Sequence, residues 1–75
     1  MVEAEYAENL SKQLMGLVDA NGKVIEGNEE RVNFILGELS DSLGEEYKLN
    51  GNIITKNGEV VDSYKELQKG INDTI

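Results

Sequence analysis

Apolar residues in the first part of the chain recur at three- and four-residue intervals. Ala7, Leu10, Leu14 and Leu17 form one such stripe and predict a helix from Glu3 to Val18. Glu3, Glu5 and Glu8 crowd its start, where the helix dipole favours negative charge, and Glu8 precedes Lys12 by four residues in the favourable order. A second stripe, Val32, Ile35, Leu36, Leu39 and Leu43, predicts a helix from Glu29 to Leu43. Asn28 stands as its N-cap, and Gly44 follows the last apolar position, where a left-handed cap is expected. Gly37 interrupts this helix at a cost of about 1 kcal/mol against Ala, which suggests a close helix contact. Phe34 falls at the edge of the stripe.

After Gly44 the period shortens. In Tyr47–Thr55, Tyr47 and Leu49 alternate around Lys48, so they share one face of a strand. Asn50-Gly51 fits the two central positions of a type I′ turn, which predicts a hairpin. A second turn, Lys56-Asn57-Gly58, leads into Glu59-Val60-Val61, which either extends the ribbon or returns the chain to the helices. A third helix is expected from Asp62 to Ile75, with Tyr64, Leu67, Ile71 and Ile75 on its stripe. Ser63 and Glu66 have the spacing of a capping box, and Glu66–Lys69 and Lys69–Asp73 have the spacing of helical ion pairs. Between the first two helices, Val18–Gly27 carries an Asn21-Gly22 turn signal. Two forms are open: a short tight hairpin, or an irregular connector that tucks Val24 and Ile25 under the helices. The connector is preferred because the arms are too short for a stable ladder.

These elements give an α+β fold: two helices, a short β-hairpin, then a third helix packed on the first two. The expected core is Leu10, Leu14, Leu17, Val32, Ile35, Leu36, Leu39, Leu43, Ile53, Leu67 and Ile71. With 75 residues there is room for one domain, spanning 1–75. No capping residue precedes Glu3, and no Gly, Asn or Pro follows Ile75. On those signals the chain reads as a segment of a much longer one.

Composition removes most chemistry. The chain has no Cys and no His, hence no thiol nucleophile, disulfide, imidazole base or Cys/His metal site. Asp and Glu outnumber Lys and Arg by 15 to 7, a formal net charge of -8. That balance argues against binding to nucleic-acid phosphates or to an anionic membrane. No apolar run approaches the roughly 18 residues of a membrane span.

Two constellations invite a metal or acid–base reading, and both have plainer explanations. Counted from Asp19 as an EF-hand loop, Glu30 falls at the twelfth position, but Val24 takes the sixth, where the bend needs Gly, and Lys23 intrudes. Glu38, Asp41 and Glu45 are spaced three and four apart, as on a solvated helix face. No GxGxxG or Walker-type loop occurs, and Tyr47 and Tyr64 read as core or core-edge residues. The expectation is no catalytic, cofactor-binding or metal site, and no enzyme.

The run NEERVNFILGELSDSLGEEYKLNGNIITKNGEVVDSYKELQKGINDTI, with the NGKVIEG before it, resembles an internal segment of tail tape measure proteins. These belong to long-tailed phages and prophages of Gram-positive bacteria. The matching pieces are Glu38-Leu39 with Leu43-Gly44, then Tyr47-Lys48-Leu49, Gly51, Ile53-Ile54, Tyr64 with Glu66-Leu67, and Ile71 with Ile75. The likeness covers about residues 17 to 75; the helix before it matches only as a generic acidic helix. It implies a structural module in a chain that occupies the tail lumen during assembly and sets tail length. Implied partners are tail-tube proteins, chaperones and other copies of itself in the parent chain, with no direct nucleic-acid binding and no membrane. The implied location is the virion tail lumen, and the bacterial cytoplasm during assembly or expression from a prophage. The alternative is a small acidic interaction or inhibitor protein of phage or bacterial origin that binds a basic partner surface.

Overall fold

The structure is a computed structural model that describes residues 2–75, with side chains from residue 4 onward. The uncapped start expected before Glu3, and the Glu3 side chain, lie outside that description. Helix α1 runs Val2–Met15 and α2 runs Glu29–Leu43. Strands β1 (Tyr47–Asn50), β2 (Ile53–Lys56) and β3 (Glu59–Val60) form an antiparallel sheet in the order β1-β2-β3, and α3 (Tyr64–Thr74) follows. The fold is α+β, in the expected element order.

One apolar cluster holds it together. Ala7, Leu10 and Leu14 of α1 meet Val32, Ile35, Leu36 and Leu39 of α2. Leu67 and Ile71 of α3 join them, with Tyr47, Ile54 and Val61 from the sheet region. The helices α1 and α2 lie antiparallel: Tyr6 reaches Glu38 at one end and Arg31 reaches Gln13 at the other. The third helix packs on α1, whereas α2 is flanked by α1 and β1, so α3 does not pack on the first two helices equally.

Several expectations need correction. Helix α1 stops at Met15, not Val18, where the last turn tightens: the Gly16 N–H is shared between the Lys12 and Gln13 carbonyls, and the Leu17 N–H goes to the Leu14 carbonyl. Leu17 is then only half-buried, while Val18 turns in and becomes core. Segment 18–27 combines the two forms considered for it. Val18 and Val24 make a single antiparallel bridge around the Asn21-Gly22 turn. Val24 is buried, but Ile25 points outward at 46% exposure.

In the hairpin, Asn50 pairs with Ile53, so the turn is Gly51-Asn52 rather than Asn50-Gly51. Only its first central residue, Gly51, has positive φ, the type II′ pattern. This register sets Leu49 opposite Ile54, an apolar pair in place of a Leu–Asn one. Ile54 is therefore the core residue; Ile53 pairs with Asn50 and is half-buried. The second turn, Asn57-Gly58, is the one with positive φ at both positions. It extends the ribbon by β3, after which Val61 goes into the core.

At the helix ends, Asn28 occupies the N-cap of α2 but its side chain makes no cap bond, donating instead to the Ile25 carbonyl at 3.1 Å. Gly44 caps the other end at φ 71°. Leu43, beside it, is half-buried. A Cβ on Gly37 would meet nothing within 4 Å, so no close contact inside this domain explains that glycine. Helix α3 begins at Tyr64, and its Ser63 hydroxyl accepts the Glu66 N–H at 3.0 Å. The return half of the capping box does not form: no hydrogen bond joins the Ser63 N–H to the Glu66 carboxyl. Among the described residues, Lys69–Asp73 is the expected helical ion pair that forms; Glu8–Lys12 and Glu66–Lys69 do not. Ile75 remains 39% exposed.

Candidate functional site

Among the described residues, one buried side-chain polar atom has no partner, the hydroxyl of Tyr47. Alternation on β1 turns this ring inward and leaves the residue 4% exposed. Ser40 of α2 fixes the start of the strand, since its Oγ accepts the Tyr47 N–H at 2.9 Å and donates to the Leu36 carbonyl at 2.7 Å. Asn57, at φ 52°, holds the preceding residue from the other side: its Oδ1 accepts the Glu46 N–H and its own N–H donates to the Glu46 carbonyl. Its Nδ2 donates to Glu45 at 2.8 Å.

The Tyr47 hydroxyl ends beneath an open groove of about 240 Å³ between the ribbon and α3. Lys56, Glu59, Glu66, Lys69, Gly70 and Asp73 are among the residues that line it. The Lys56 ammonium stands over the Tyr47 ring, 5.8 Å from its centroid, a cation–π contact. Gly70 leaves room there: a Cβ on it would lie 3.4 Å from Lys56 Nζ and 3.8 Å from Tyr47 Oη. Burial, aided by the negative charge of Glu45, pushes the Tyr47 phenol up to about 12. The hydroxyl therefore stays protonated at neutral pH and can donate a hydrogen bond, but cannot act there as a base. Lys69 is engaged by Asp73 at 2.9 Å, a bond that raises its own pKa. On the rim, Glu66 is raised by its hydrogen bond to Asp62 and by the negative charge of Asp62.

The residues singled out from sequence are scattered. The Glu38 carboxylate accepts the Tyr6 hydroxyl at 2.6 Å, which raises the Tyr6 pKa. Glu45 lies beyond the Gly44 cap, where helical spacing no longer applies, and turns to Asn57. Asp41 is exposed on α2. Among the described residues no group of three or more acids gathers in a metal-holding arrangement. Asp19 closes its own loop, its Oδ1 accepting the N–H groups of Asn21 at 2.9 Å and Lys23 at 3.0 Å. That is an Asx turn and not a cation loop. Sequence reasoning placed Tyr47 in the core but missed Lys56 and Gly70 beside it. Tyr47 and Lys56 are direct partners across the β1–β2 hairpin, a pairing the expected Asn50-Gly51 turn would have missed by setting Ile54 opposite Tyr47; only Gly70 is brought in by the packing of α3 against the ribbon.

In comparisons with known proteins, the chain matches no family model, no curated protein and no solved structure.

Proposed function

We propose that this chain is a structural module of a phage tail tape measure protein, acting in tail assembly and tail length determination and without catalysis. The observation that carries the reading is the agreement between the resembling phrases and the element boundaries. The Glu38–Gly44 phrase ends α2 at its left-handed cap, the Tyr47–Ile54 phrase is the hairpin, and Tyr64 opens α3. The partners are tail-tube proteins, assembly chaperones and neighbouring parts of the parent chain. The location is the tail lumen, reached from the bacterial cytoplasm.

The reading is tested by deleting residues 2–75 from the parent gene and measuring tail length by electron microscopy. The folded module has a longest extent of 32 Å, whereas 75 residues of continuous helix would span about 110 Å. Tails shortened by a step within that range support the proposal. Tails of unchanged length and normal assembly refute it.

The acidic interaction reading retains one observation in its favour. Among the described residues only two ion pairs form, both exposed, Lys48–Glu46 and Lys69–Asp73. Most of the acidic charge therefore faces water unpaired and is free to meet a cationic surface.

A further inference from the structure

The outward face of α2 carries two features that the domain itself does not use. Phe34 is 61% exposed, the most exposed of the large apolar side chains among the described residues. Gly37, one turn on, has nothing within 4 Å of where its Cβ would be. Glycine weakens a helix interior and an exposed aromatic ring gains nothing from the core. Each feature is disfavoured in an isolated domain, and both fall on one row. Glu30, Phe34, Gly37 and Asp41 follow at spacings of four, three and four, so they share a helix face, and all four are exposed.

The row has the form of a contact surface: a projecting ring, a notch where a backbone can approach closely, and a carboxylate at each end. Arg31, the cation of this helix, lies on the flank, where it donates to Gln13 at 3.1 Å. Glu38, also on the flank, is held by Tyr6. Neither compensates the acids of the row. We propose that this face docks a partner helix that carries Lys or Arg on both sides of an apolar residue. The partner's cations meet Glu30 and Asp41, about 16 Å apart along the axis, and its apolar residue packs on Phe34 over the Gly37 notch. A second copy is disfavoured, because it would set acid against acid, and an anionic membrane is repelled for the same reason. The inference does not rest on the tail assignment and stands or falls separately from it.

The test is an NMR titration of the whole ¹⁵N-labelled chain. The probe is a synthetic amphipathic peptide with Lys residues eleven positions apart flanking Ala and Leu. A charge-reversed peptide with Glu at those positions is the control. The expected result is shift changes centred on Glu30, Phe34, Gly37 and Asp41, weakened by added salt and absent with the control. Phe34→Ala and Gly37→Leu should each weaken binding by about tenfold or more while leaving the helical spectrum intact. Gly37→Ala separates the proposal from a merely structural role, since it should raise the melting temperature and yet lower affinity. No binding at millimolar peptide, shifts centred elsewhere, or affinity unchanged in all three variants overturns the proposal. So does self-association through this face, detected by sedimentation.

Discussion

Gly22 meets two constraints at once, and replacing it separates them. Its φ is +75°, a region in which an L side chain is strained. A Cβ there would also stand 3.0 Å from the carbonyl carbon and oxygen of Ser63 and 3.3 Å from its nitrogen. Those are backbone atoms that cannot rotate aside, in the residue that caps α3. The same junction holds the Tyr64 N–H on the Ala20 carbonyl at 3.0 Å. For Gly22→Ala, the backbone strain amounts to about 1–2 kcal/mol. Pushing the loop off α3 loses that hydrogen bond, about 0.5–1.5 kcal/mol more, and loosens packing around Val24. The sum is about 2–4 kcal/mol, against a total stability of about 4–11 kcal/mol for a domain of this size. Gly27 is the internal control. Its φ is +98° but nothing lies within 4 Å of its Cβ position, so Gly27→Ala should cost only about 1–2 kcal/mol. Gly37→Ala, in open helix, should stabilise by about 1 kcal/mol. Urea unfolding followed by circular dichroism gives all three, provided that the m-value is unchanged. If Gly22→Ala lies within about 0.5 kcal/mol of Gly27→Ala, the loop does not press on α3 and the account of this junction is wrong.

Leu39 is fully buried between α2 and its neighbours, so Leu39→Ala should cost about 2–5 kcal/mol by denaturant melt; a change within about 0.5 kcal/mol would show that it is not core. Tyr47 sets an alkaline limit. Its folded-state pKa of about 12 exceeds the ordinary phenol value near 10, so the folded chain retains a proton that the unfolded chain releases. Its contribution is full below pH about 10 and declines as pH rises through about 12, by at most about 2.7 kcal/mol, and Tyr47→Phe should flatten that decline. An equal decline in the Phe variant would show that other groups cause it. Ser63→Ala should destabilise α3 by about 1 kcal/mol through loss of the bond to the Glu66 N–H. Glu66→Gln should not destabilise, because that carboxyl does not close the cap; a melting temperature lowered as far as by Ser63→Ala would restore the full capping box.

Local pattern was enough for α2. Its apolar stripe, its acidic first turn and Gly44 all act within the helix, and the boundaries Glu29–Leu43 follow from them. The end of α1 was less legible: Gly16 lacks the left-handed backbone that marks Gly44, and the stripe through Leu17 runs past it. Ile54 was recoverable too. Pairing across either two-residue turn sets it on the face of Tyr47 and Leu49, so the choice of Ile53 for the core neglected strand pairing and not any missing information. Which turn wins was not local: the Asn52 carbonyl accepts the Val24 N–H at 2.9 Å, a bond between distant loops. The approach of Gly22 to Ser63, and of Gly70 to Tyr47 and Lys56, depends equally on how finished elements pack. The acids Glu38, Asp41 and Glu45 show the converse. Helical spacing grouped them, yet Gly44 ends the helix before Glu45.

The structural role in a phage tail is tested most directly by peptide mass spectrometry of purified particles. Trypsin should release Val32–Lys48, which spans all but the first three residues of the resembling helix and the start of the hairpin. The proposal predicts this peptide in gradient-purified tails, within a protein band far larger than 8.3 kDa. Absence of the peptide from particles, with recovery only from the host-cell fraction in a complex with a basic protein, would contradict the tail assignment and favour the acidic interaction reading.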